Sequence, residues 1–117
     1  MTSLEQAKEI VKVMDKMKAK DIRLINIHEL SSLGDYFVIA SASNTTQVKA
    51  IADEIEDQMT QMDIEPNRVE GRQSAQWILL DYYDVMVHVF LEEARTFYNL
   101  ERLWSDAPQV DISDLLT

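Results

Sequence analysis

At 117 residues the chain has room for one domain with one hydrophobic core, and 46% apolar against 27% charged residues reads as globular. Its net charge of −10 is uneven: residues 1–50 hold seven Lys/Arg against six Asp/Glu, and residues 51–117 hold four against fifteen. Such a body repels nucleic acid phosphates and anionic lipid and attracts a basic surface, and its lack of cysteine excludes disulfides and thiolate metal sites.

Residues 2–19 place Leu4, Ala7, Ile10, Val11, Met14 and Met17 on one helical face, with Thr2 and Glu5 spaced as a capping box. This opening has charges where a secretory signal has its apolar core, and no stretch nears the roughly 20 apolar residues of a membrane helix. A cytoplasmic location is the resulting expectation. Residues 22–27 are dense in branched side chains and predict a strand. Turn chemistry at residues 31–35 then leads into a second strand, 36–42. Asn44 with Gln47 predicts the start of a second helix, carried by Val48, Ile51, Ala52, Ile55, Met59 and Met62 and stopped by Pro66. Short strands follow at 68–71, 76–82 and 85–91, the last two joined by the tight link Tyr83-Asp84 as a hairpin. Residues 92–104 predict a closing helix or two short helical turns.

The expected fold is therefore α/β, a mixed five-stranded sheet with packed helices in one domain over residues 1–104. The unit running from the second strand through the second helix to the third strand should cross over right-handed. Residues 105–117, with Asp106, Asp111 and Asp114, read as an acidic, flexible tail, although Val110, Ile112, Leu115 and Leu116 give it the means to dock locally.

Few residues offer chemistry. Asp81 and Asp84 flank the hairpin and Glu92 follows the last strand, a carboxylate set of the kind that holds Mg²⁺ for nucleotidyl transfer. Aspartates also decorate turns for local backbone bonding, and two glycines, Gly34 and Gly71, are too few for a phosphate-cradling loop. His28 and His88 lack metal-ligand spacing, and Ser43 or Ser74 drawn with His88 and Asp81 lacks a nucleophile elbow. The aromatic residues Trp77, Tyr82, Tyr83, Tyr98 and Trp104 carry more information. On the strand at 76–82, Trp77 and Leu79 share one face and Ile78 and Leu80 the other, so both faces are apolar. The first two helices cover one face; the other has room for a partner, and Trp and Tyr are common interface anchors.

Six blocks, in order, resemble the ribosomal silencing factor family, also called RsfS or Iojap. They are residues 35–40 (DYFVIA), 47–53 (QVKAIAD), Glu70-Gly71, 77–82 (WILLDY), 84–90 (DVMVHVF) and 95–104 (RTFYNLERLW). One departure is Tyr83, where the family usually has glycine. The resemblance implies a fold related to nucleotidyltransferases, without the Gly-Ser element and paired aspartates of active members, since Ser41-Ala42-Ser43 stands at the matching place. It further implies binding to the large ribosomal subunit through the basic ribosomal protein L-fourteen, obstruction of the small subunit, and translation repression. On this reading the chain is not an enzyme and needs no cofactor or metal. Glu70, Trp77, Leu79, Asp81 and Tyr98 are the expected docking residues, with little direct nucleic acid contact. A Mg²⁺-dependent nucleotidyltransferase using Asp81 and Asp84, and a large-subunit assembly scaffold without anti-association activity, are the alternatives. Whether the free protein is a monomer or a homodimer stays open.

Overall fold

The computed structural model describes residues 1–30, 32 and 34–117, apart from the side chain of Leu103. The turn expected at residues 31–35 rests partly on Ser31 and Leu33, which lie outside the described residues. Helix α1 (Ser3–Lys16) opens on the expected capping box: Thr2 Oγ1 accepts from the Glu5 amide at 3.1 Å, and the Thr2 amide donates to Glu5 Oε1 at 3.0 Å. It ends before residue 19 because Lys18 turns left-handed (φ 60), so that the Lys18 and Ala19 amides fold back onto the Asp15 and Met14 carbonyls. Helix α2 (Thr45–Gln61) is capped by Asn44, whose side chain accepts from the Gln47 amide at 2.8 Å. It stops in the same manner at Asp63 (φ 62), three residues short of Pro66.

Five strands, β1 (Lys20–Asn26), β2 (Tyr36–Ala42), β3 (Arg68–Glu70), β4 (Trp77–Asp81) and β5 (Val85–Leu91), form one mixed sheet in the order β1-β2-β5-β4-β3. Strands β2 and β5 are parallel and the other neighbours antiparallel, so β3, reached through α2, lies beyond β5 and β4 at the far edge. Alternation along the strands divides the molecule. Val38, Ala40, Ile78, Leu80, Val87 and Val89 pack under α1 and α2 and form the main core. Ile25, Phe37, Ile39, Met86 and Phe90 point the other way, where α3 (Glu92–Tyr98) and α4 (Leu100–Leu103) supply a smaller lid with Ala94, Leu100 and Trp104.

The closing helical stretch is in two pieces because Asn99 adopts a left-handed conformation (φ 44). Asn enters that region more readily than most residues. The buried Arg95 holds the corner: its guanidinium donates to both carboxylate oxygens of Glu101 (3.1 and 3.3 Å) and to Ser41 Oγ (3.2 Å). The segment expected to be a flexible tail is placed along the outer edge of β1. The Asn26 amide donates to the Pro108 carbonyl and the Val110 amide to the Leu24 carbonyl, both at 2.8 Å, while Ala107 and Ile112 are buried. Thr117 then bonds the Asp15 carboxylate from its amide and its hydroxyl. Two backbone bonds and apolar burial give these residues a seat that their charge pattern does not announce.

Candidate docking face

Because side chains alternate on a strand, β4 sends Trp77, Leu79 and Asp81 to the sheet face opposite α1 and α2. Register continues that face across its neighbours. Trp77 lies across from Phe90, Leu79 from His88 and Asp81 from Met86, while β3 sets Glu70 beside Leu79 and Arg68 beside Asp81. Helices α3 and α4 lie over the Phe37 and Phe90 side; Trp77 and Leu79 remain half-buried.

The aromatic groups interlock. Trp77 stacks on Phe90 (ring centroids 5.0 Å apart) and meets Tyr98 at 4.9 Å, and Phe37 stands edge-on to His88 at 4.7 Å and to Trp104 at 5.4 Å. Trp77 Nε1 donates to His88 Nδ1 at 3.0 Å. An indole only donates, so Nδ1 is the acceptor and the neutral imidazole carries its proton on Nε2. His88 is 5% exposed, and burial pushes its pKa down to about 3, so the ring is neutral at physiological pH. Its Nε2 has no hydrogen-bond partner among the described residues. The backbone of the β3–β4 connection is fitted just as closely. Gly71 has φ 90, and a Cβ there would collide with the Trp77 carbonyl oxygen.

The five expected docking residues all lie on or beside this face, in different states. Trp77 and Leu79 are half-buried on the open part, Tyr98 is 48% exposed at its rim, and Glu70 is exposed with Arg68 Nη1 3.6 Å away. Asp81 is different. It is 7% exposed, and its carboxylate accepts from Asn67 Nδ2 (3.3 Å), Arg68 Nε (3.2 Å) and the Tyr83 amide (2.8 Å). This carboxylate ties the hairpin to the edge strand and is not held out to a partner. The same three donors occupy it as a candidate Mg²⁺ ligand, and among the described residues no group of three His, Cys, Asp or Glu side chains is placed to hold a metal ion. Tyr83 adopts φ 70 in a three-residue turn, with the Asp84 amide bonded to the Tyr82 carbonyl at 2.9 Å; its ring stands in solvent.

Sequence reasoning passed over Phe97, which at 81% is the most exposed large apolar side chain among the described residues. The dipeptide Phe97-Tyr98 on a short helix was the available signal, because neighbouring residues on a helix cannot both face the sheet.

The description "Ribosomal silencing factor during starvation" belongs to a family model that matches residues 1–117. A Bacillus subtilis protein named ribosomal silencing factor RsfS is 43% identical over 98 residues, which is 84% of this chain and 83% of its own. A crystal structure of a Chromobacterium violaceum protein superposes with a TM-score of 0.87 at 31% identity, covering 90% of this chain and 88% of that one. More distantly, a mouse protein named mitochondrial assembly of ribosomal large subunit protein 1 is 26% identical over 82% of this chain and 43% of its own length.

Proposed function

This chain belongs to the ribosomal silencing factor family, and we propose on that footing that it binds the large ribosomal subunit and blocks the small one. The partner in this reading is the basic ribosomal protein L-fourteen, the setting is the cytoplasm, and the consequence is damped translation. The action is occupancy of a surface and involves no turnover.

The observation that carries the reading is the half-covered aromatic face. Trp77 and Leu79 lie on a sheet face that α3 and α4 roof only in part, with Tyr98 at the rim and Glu70 beside them. Half-buried Trp and Tyr rings in a preorganised cluster are the usual material of interface anchors. The net charge of −10, concentrated after residue 50, complements a basic ribosomal protein and speeds encounter with it. Glu70, Trp77, Leu79 and Tyr98 form the docking set; Asp81 supports it from inside. The name of the mouse relative, which refers to large-subunit assembly, supports the choice of subunit.

The test is co-sedimentation of the pure protein with isolated large and small subunits, followed by light scattering of subunit joining. Binding to the large subunit together with suppressed joining supports the reading. Binding without suppression points to an assembly role, and failure to bind the large subunit refutes the reading outright.

A further inference from the structure

At the open rim of the docking face, Gln76, Leu91, Glu93, Ala94, Phe97 and Tyr98 line an open hollow of about 340 Å³. Its chemistry is unlike that of the apolar sheet beneath. Phe97 and Tyr98 meet at right angles with centroids 5.2 Å apart, and Tyr98 is braced from behind by Trp77. Glu93 lies four residues before Phe97 on α3, so carboxylate and ring share one side of the helix. The neighbouring Glu92 is taken by Lys20 at 2.9 Å, whereas Glu93 has no ion pair among the described residues.

We propose that Glu93, Phe97 and Tyr98 form a receptor for one arginine side chain of the basic partner. The inference rests on the docking reading above and specifies which chemistry the partner presents at this rim. An apolar partner group would cover the rings but strip water from the Glu93 carboxylate without compensation. A guanidinium satisfies both halves: it is planar, weakly hydrated, stacks on an aromatic face and binds a carboxylate through two parallel N–H donors. Lysine, a compact and strongly hydrated charge, fits two perpendicular rings and a carboxylate less well. The excess of Asp and Glu after residue 50 makes a cationic occupant the favourable one over distance as well.

Phe97 and Glu93 are both exposed, so substitutions there leave the core intact. Affinity for isolated large subunits is measured for the wild type and for Phe97→Leu, Phe97→Tyr and Glu93→Gln. Phe97→Leu keeps an apolar side chain but removes the π face, and it should weaken binding between about twofold and thirtyfold, while Phe97→Tyr retains it. Glu93→Gln should weaken binding over a similar range and flatten its salt dependence. Wild-type binding with Phe97→Leu and Glu93→Gln both unchanged overturns the receptor and leaves the docking reading standing. If the wild type binds no large subunit, the docking reading fails, and the receptor is decided by amide shifts of residues 93–98. Acetyl-Gly-Arg-Gly-amide is then titrated against its citrulline counterpart, which has nearly the same shape without the charge. Saturable shifts with the arginine peptide alone uphold the receptor; equal shifts, or none, dismiss it.

Discussion

Acid should destabilise this protein through His88, and the size of the effect follows from where the ring sits. The unfolded chain binds a proton at His88 below about pH 6.5, whereas burial holds the folded-state pKa at about 3. Between those values the unfolded state carries more protons, so stability rises with pH; it is fully present above 6.5 and drains away as pH falls toward 3. Each pH unit in that window is worth about 1.4 kcal/mol, so acidifying from pH 6.5 to 5 removes about 2 kcal/mol. The Trp77 indole sharpens this, because its N–H points at Nδ1 and a second proton there would face a donor. His28 acts in the opposite sense. Its hydrogen bond to Asp35 at 2.6 Å raises its pKa, so its contribution is present below 6.5 and lost as pH rises through the raised value. The clean experiment therefore uses a His28→Ala background and compares urea unfolding at pH 7.5, 6.5, 5.5 and 5.0 with and without His88→Gln. The gap between the two proteins should narrow by about 2 kcal/mol across the acid half of the range. A gap independent of pH, or an imidazole NMR titration of His88 near 6.5, would refute the reasoning.

Ile78→Ala should cost about 2–4 kcal/mol in urea unfolding, because Ile78 is fully buried beneath α1 and α2. Gly71→Ala should be destabilising although it adds only a methyl group, since the new Cβ meets the Trp77 carbonyl at φ 90; unchanged unfolding would show that the connection readily rearranges. Large-subunit binding should weaken and slow as salt rises and the Debye length shrinks below about 10 Å. Binding indifferent to ionic strength would leave the aromatic face as its sole driver.

Strands β2 and β5 are legible residue for residue, because each is a seven-residue, largely apolar run rich in branched and aromatic side chains that opens directly after a polar turn and stops at a polar residue. The two sheet faces are legible as well: Ile78 and Leu80 do go under the helices while Trp77 and Leu79 face away. The helix ends are not. Both long helices close on a left-handed residue that is not glycine, Lys18 and Asp63, and a reader watching for Gly or Pro overshoots them. Asp81 is ambiguous for a different reason. A carboxylate at a strand end looks the same in sequence whether it greets a partner or accepts from Asn67 and Arg68, which are 14 and 13 residues away. For residues 105–117 the apolar positions Val110 and Ile112 are legible, but the place where they sit is not. Their seat depends on β1, 86 positions earlier at the Arg23–Gln109 contact, and no local pattern encodes so distant a pairing.

That seat bears on how any partner must approach. A sheet invites strand addition wherever its outermost backbone groups stand unpaired. Here the protein's own residues 108–110 pair with the Leu24–Asn26 end of β1, while the opposite flank offers only the three residues of β3, two of them the charged Arg68 and Glu70. Each border thus leaves only a short run of edge backbone for an extended peptide, which disfavours recognition by added strands. Under the proposed docking, a partner lands broadside, on side chains rather than on backbone, and the groups on that one face set what this protein can hold.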